Sequence, residues 1–190
     1  MEQFNSYLMN LDLDALRTYF AEHGRLCRYE KEERFAQQGT VCRYIGLIVK
    51  GYFKYTTLNT KAEESVMNFA FENEFVADFN SSYSGNPSEV SIIAGMDSEI
   101  YVLPFSVFND KFMHSDGEMP YSVYRSLYHI VYDRYLYLHR HPTQERYLEL
   151  IRRYPRLLDT VSLKDIASYL LITPNHLSRI RKEISQGNKS

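Results

Sequence analysis

The chain has only two cysteines, Cys27 and Cys42, among its 190 residues. Two thiols are too few for a tetrahedral thiolate site or an iron–sulfur cluster, which normally take about four ligands, and no histidine lies near enough in sequence to complete one. The unremarkable composition around them favours free thiols over a disulfide. No apolar run approaches the roughly 18 residues that a membrane span needs, and the opening stretch MEQFNSYLMNLDLDALRTYF has no basic segment leading into an apolar one. The expectation is a cytoplasmic protein with no membrane partner. A glycine-rich phosphate loop and a nucleophile elbow are missing too, so two large enzyme classes lack their signatures.

What remains is the balance of a folded globular chain, 44% hydrophobic and 24% charged. At this length there is room for one core and a small appendage. The net charge of −2 hides an asymmetry, because residues 143–190 hold nine Lys+Arg against five Asp+Glu while residues 1–142 hold thirteen against nineteen. A surface that faces a polyanion therefore belongs at the C-terminal end.

The pattern along the chain changes twice. DLDALRTYFAEH opens with Asp12 as an N-cap, places Leu13, Leu16 and Phe20 on one helical face and stops at Gly24. From about residue 26 to residue 103 short strand-like runs follow, RYIGLIVKG, YFKYTTL, SVMNFAF, VSIIAG and SEIYVLP, without helices between them, which predicts an antiparallel barrel or roll. After Pro104 a short helix over 105–113 leads to MPYSVYRSLYHIVYDRYLYLHRH. There Tyr121, Tyr124, Tyr128, Val131, Tyr135 and Leu138 are spaced 3, 4, 3, 4 and 3 residues apart, a heptad seam suited to a homodimer. A second stripe, Val123, Leu127, Ile130 and Tyr137, is left for the helix's own domain; the alternative is a single wide core-facing stripe. Pro142 breaks this helix, Thr143 is the expected cap of QERYLELIRRY, and RLLDTV reads as a connector.

The final segment carries the chemistry. Ser162 with Asp165 forms a capping signature before LKDIASYLL, and Thr173 followed by Pro174 caps a second helix. Leu177, Ile180 and Ile184 face Ile166, Ala167 and Leu170, which leaves Asn175, Ser178, Arg179 and Lys182 pointing outward. This is a helix-turn-helix with Leu171 where glycine is usual. Asparagine bonds adenine and arginine bonds guanine through two contacts each, worth about 1–3 kcal/mol of discrimination. Ser162, Lys164, Thr173, Ser178 and Lys182 suit phosphate. A left-handed Leu171 costs about 1–2 kcal/mol, which caps at Ser162 and Thr173 offset by about 1 kcal/mol each.

With these parts in order, LDALRTYF, QQGTVCRYIGLIVKGYFKYTTLN, NEFVADF, SEVSIIAGMDSEIYVLP and RYLELIRRYPRLLDTVSLKDIASYLLITPNHLSRIRK, the chain resembles the cyclic-AMP receptor protein/FNR superfamily of bacterial transcription regulators, in particular its short Bacteroidetes members. The resemblance implies an α+β fold. A cyclic-nucleotide-binding-like antiparallel double-stranded β-roll over 1–117 would sense an effector, a long helix over 118–141 would form the homodimer, and a helix-turn-helix domain over 142–190 would bind inverted-repeat double-stranded DNA. It puts the base-reading positions at Pro174, Asn175 and Arg179, although Pro174 has no donor. The effector pocket would lie at Asp78, Ser88 and Glu89, where cyclic-nucleotide binders carry a glutamate and an arginine–serine pair. A glutamate in place of the arginine opposes an anionic phosphate, so cyclic AMP is not expected to bind and any small-molecule effector is of another kind. The cysteine cluster of the oxygen-sensing branch is missing, and the chain ends six residues after Ile184, too soon for a β-hairpin wing. No cofactor, metal or catalytic residue is expected. Two rival readings are a protein-interaction module that has lost DNA and a cupin-like metalloenzyme using His139, His141 and Glu145. The second suffers because those residues straddle a helix end and Pro142 rather than lying on strands.

Overall fold

The computed structural model describes Phe4, residues 13–113 and residues 119–187. Asp12, the expected first cap, and the boundary between residues 117 and 118 lie outside the described residues. Helix α1 (Leu13–His23) stops at Gly24, whose N–H donates to the Phe20 carbonyl at 2.8 Å.

The strands β1 (Arg25–Tyr29), β2 (Arg34–Ala36), β3 (Tyr44–Lys50), β4 (Tyr52–Leu58), β5 (Glu64–Phe71), β6 (Phe75–Val76), β7 (Ser91–Ala94) and β8 (Ser98–Pro104) make two four-stranded antiparallel sheets among the described residues. One runs β1-β8-β3-β6 and the other β2-β7-β4-β5. Both were legible as an antiparallel roll, while the short helix α2 (Phe79–Ser84) between β6 and β7 was not. Side chains that alternate along a strand go to opposite faces. On β4, Phe53 goes into the space between the sheets with Ile48, Ile92, Ile100 and Val102, whereas Tyr52 and Lys54 face outward. Gly46 on β3 leaves room for the Ile100 side chain of the adjacent strand β8: a Cβ there would stand 2.2 Å from Ile100 Cδ1.

Each sheet has a second core on its outer face. Ile45, Leu47 and Leu103 pack with Leu16 and Phe20 of α1, with Phe105 and Phe108 of α3 (Phe105–Phe108), and with Val123 of the long helix α4 (Met119–Arg140). Between α3 and α4 the expected helix over 105–113 widens into a π-helical turn, Asn109–Met113. On the other side Tyr52, Val66 and Phe69 join a cluster with the C-terminal helices α5 (Thr143–Arg153), α6 (Leu157–Thr160), α7 (Leu163–Tyr169) and α8 (Pro174–Gly187). Phe4 enters the same cluster, and its ring lies 4.5 Å from that of Tyr154 and 5.8 Å from that of Phe69. Complete burial of a side chain such as Phe69 is worth about 1.5–3 kcal/mol, so these helices are fastened to the roll by a core.

Two local expectations need correction. Thr143 is the first helical residue of α5 rather than its cap; Pro142 holds the cap position, and the Thr143 hydroxyl accepts a bond from Arg146 at 3.0 Å. RLLDTV, expected as a connector, contains the helical turn α6. Arg156, Leu157 and Asp159 tolerate helical geometry, and nothing short of Pro155 breaks it.

Candidate nucleic-acid interface

The turn between α7 and α8 keeps its strained geometry. Leu171 has φ +58°, the N–H of Ile172 donates to the Ala167 carbonyl at 3.0 Å, and that of Leu171 donates to the Ser168 carbonyl at 2.9 Å. This is the left-handed helix ending that glycine ordinarily serves, made here with leucine. Both expected caps form: Asp165 N–H donates to Ser162 Oγ at 3.1 Å, and His176 N–H to Thr173 Oγ1 at 3.2 Å. The acidic half of the first signature turns away, for the Asp165 carboxylate stands 3.6 Å from Lys54 Nζ on β4.

Leu177 and Ile180 of α8 are buried against Ile166, Ala167 and Leu170, and Ile184 packs on the edge of this cluster. On the opposite side Pro174, Asn175, Ser178, Arg179 and Lys182 are exposed, as are Ser162, Lys164 and Thr173. Arg179 Nε is 4.0 Å from Glu183 Oε1 with both side chains well exposed, a contact of the kind worth about 0–1 kcal/mol and readily exchanged for a stronger acceptor. All the candidate base and phosphate contacts thus lie on accessible surface, and the N-terminal turn of α8 is unobstructed by its own partner helix.

The long helix has two characters. Val123 is buried and Leu127 packs beside it against the roll, whereas Tyr121, Tyr124, Tyr128, Val131 and Tyr135 are exposed and Leu138 is half-buried. Tyr121 and Val131 are each 69% exposed, an apolar stripe that the chain itself leaves open. Near its start Tyr124 meets Tyr83 of α2 edge-on at 5.8 Å; partial desolvation and a hydrogen bond with Tyr83 push its phenol up to about 12.

At the expected effector position the polar groups satisfy one another. Asp78 caps α2, accepting Ser81 N–H at 3.2 Å through Oδ1, and its Oδ2 accepts the Ser88 hydroxyl at 2.5 Å. Ser88 is 3% exposed, and its backbone is bonded to Gly39 and Thr40 on the facing loop. Glu89 is exposed and only its carbonyl is engaged, by the Thr57 hydroxyl at 3.1 Å. The partly buried Tyr55 accepts Ala77 N–H at 3.3 Å beside this group, and desolvation drives its phenol well above the ordinary range. Two of the three sequence-chosen residues, Asp78 and Ser88, therefore converge in a closed network around a carboxylate, and the Glu89 side chain stands outside it.

Sequence reasoning passed over three cations. Lys54 sits beside Glu32 at 3.3 Å, Glu64 at 3.9 Å and Asp165. Arg134 stacks its guanidinium 3.7 Å from the centre of the Tyr169 ring and donates to the Tyr169 carbonyl. Arg146 donates to the Leu170 carbonyl at 3.1 Å. A signal existed for Arg134, which occupies the vacant place in the apolar stripe Val123, Leu127, Ile130 and Tyr137. The cupin-like trio lies at exposed helix ends, with His141 Nδ1 3.3 Å from Glu145 Oε2. Among the described residues no three His, Cys, Asp or Glu side chains are grouped to hold a metal, and no helix is long and apolar enough to cross a membrane.

Residues 26–115 match the family described as "Cyclic nucleotide-binding domain". No curated protein matches the sequence. Among solved structures, FixK2 from Bradyrhizobium japonicum is similar over 87% of this chain and 86% of its own, with 18% identity and a TM-score of 0.73. The c-di-GMP responsive global regulator CLP from Xanthomonas campestris aligns over 93% of each chain with 14% identity and a TM-score of 0.68. CooA from Carboxydothermus hydrogenoformans covers 89% of this chain and 79% of its own, with 14% identity and a TM-score of 0.62. At such identities the likeness is one of fold. Residues 26–115 are accordingly similar to a cyclic nucleotide-binding domain, and the chain that carries them shares its α+β fold with these three proteins.

Proposed function

We propose that the chain is a homodimeric, sequence-specific DNA-binding transcription regulator whose sensor domain does not take cyclic AMP. The observation that carries the reading is the exposed row Asn175, Ser178, Arg179 and Lys182 on α8, opposite a face buried on α7. Asn175 and Arg179 read base edges from the first turns of the helix, with Pro174 packed against the groove without a donor. Ser162, Lys164, Thr173, Ser178 and Lys182 hold phosphates. Residues 1–117 serve as sensor, 118–141 as dimerisation helix and 142–190 as a helix-turn-helix domain. The exposed stripe from Tyr121 to Leu138 forms the seam, and two-fold symmetry then calls for inverted half-sites about 34 Å apart. The reading has no catalytic step, places the protein in the cytoplasm and leaves room for a small-molecule effector other than cyclic AMP.

Selection of bound fragments from random duplex DNA tests it. The expected product is an inverted repeat, bound by a dimer, with log affinity falling against log salt by about 0.9 for each phosphate contact. A strictly monomeric protein, or one whose selection enriches nothing, overturns the reading. Cyclic AMP at millimolar concentration is expected to leave the melting temperature unchanged. A ligand present at 100 times its Kd would add about 2.7 kcal/mol of stability and give a plain upward shift.

A further inference from the structure

Helix α7 is gripped from three sides. From the roll, Lys54 reaches Asp165 at 3.6 Å, and Val66 N–H donates to Ser168 Oγ at 2.8 Å. From α4, Arg134 covers the Tyr169 ring and bonds its carbonyl. From α5, Arg146 bonds the Leu170 carbonyl. These are not idle surface contacts: the Lys54 side chain is 6% exposed, and burial lowers the Arg134 pKa.

The arrangement matters because of where the partners lie in the chain. Arg134 precedes the break at Pro142 and Tyr169 follows it, so α7 cannot swing about that break without parting guanidinium from ring. Lys54 joins the same helix to the sensor directly, with no covalent path through the break. The pose of α8 follows that of α7 through the Leu171 turn and the packing of Leu177 and Ile180. Together these contacts fix the reading helix relative to α4, and through a two-fold seam on α4 they fix it relative to the partner copy.

We infer that Arg134 and Lys54 are specificity-determining residues of a second kind, which select the separation of the two half-sites while Asn175 and Arg179 select the bases. The inference rests on the proposed DNA-binding dimer. One extra base pair turns a half-site by about 34° and moves it about 3.4 Å, so heads held at a fixed pose reject it and heads on a loose hinge accept it. Arg134→Met keeps the stem and removes the charge and the stack. Lys54→Met acts from the roll side and also leaves Glu32, Glu64 and Asp165 without their shared counter-charge.

The test uses full-length protein and the duplex that the wild type selects, alongside versions with one base pair added or removed between half-sites and a duplex with a single half-site. The wild type is expected to prefer its own spacing. In Arg134→Met that preference should fall about tenfold, a loss of the size expected for one desolvated cation–π contact, and in Lys54→Met it should fall in the same direction through the lost ion pairs, while single half-site affinity and base preference stay as they were in both. The two substitutions lie on different elements, so one of them failing to fold leaves the other to decide. Unchanged spacing preference in the folded variants, or equal loss at every spacing and on the single half-site, overturns the inference and leaves the DNA reading standing. A wild type that binds an inverted repeat yet tolerates any spacing also overturns it. A wild type that selects no duplex brings down the DNA reading and this inference with it.

Discussion

The polar groups around α2 and those along α8 present opposite states of the same chemistry. At α2, the half-buried Asp78 carboxylate accepts both the buried Ser88 hydroxyl and the Ser81 N–H. At α8, Asn175, Ser178, Arg179 and Lys182 stand exposed, and Arg179 has a loose charged neighbour in Glu183. A group already bonded gives up a partner to take a ligand, so the exchange gains little; a buried group that loses its partner costs about 1–3 kcal/mol. An exposed group exchanges only water. The polar groups at the α2 cap are therefore largely occupied by one another, and the open ones lie on the small helical pair α7–α8.

Removing the open groups should produce the largest binding effect and the smallest effect on folding. Each bidentate base contact is worth about 1–3 kcal/mol, so Asn175→Ala combined with Arg179→Ala should cut the preference for the selected operator over random duplex by about 100-fold or more. The melting temperature should stay within the scatter of other surface substitutions. Anisotropy titrations and thermal denaturation of the same preparation separate the two quantities. An equal loss on operator and random DNA would reassign both residues to phosphate.

Ser88→Ala should behave in the reverse way. It strands one oxygen of a half-buried carboxylate and removes the hydroxyl that ties β7's approach to the α2 cap, which should cost about 1–3 kcal/mol of stability. Operator affinity of the folded protein should not change. Should cyclic AMP then raise the melting temperature of Ser88→Ala but not of the wild type, the closed network is what keeps the ligand out.

Much of this was legible in the sequence because it rests on period. The strand runs, the exposed face of α4 from Tyr121 to Tyr135, the stop at Gly24 and the caps at Ser162 and Thr173 all follow from spacing and from local hydrogen-bonding chemistry. What was not legible depends on residues far apart in the chain. Lys54 reads as the polar face of an alternating strand until Asp165, more than a hundred positions later, is brought to it. Arg134 reads as solvated although its place in the stripe is apolar, because the ring that receives it belongs to another helix. Helix α2 escaped because its short polar sequence, FNSSYS, has no periodic apolar face and forms only under the Asp78 cap and the left-handed Gly85.

The smallest effect concerns Leu171. Its left-handed backbone costs about 1–2 kcal/mol, whereas glycine there would cost about 0.5–1 kcal/mol of extra chain entropy on folding. The side chain is 61% exposed, so little apolar burial is lost by removing it. Leu171→Gly should then stabilise the chain by about 0.5–1 kcal/mol, which at this length raises Tm by about 1–4 °C. Since both turn hydrogen bonds, from Leu171 N–H and Ile172 N–H, already form with leucine in place, the pose of α8 and the operator affinity should not move. A fall in Tm would mean that the exposed leucine is held by a contact outside its own chain that outweighs the backbone strain, and the comparison between spent and open groups would then have to include an apolar one.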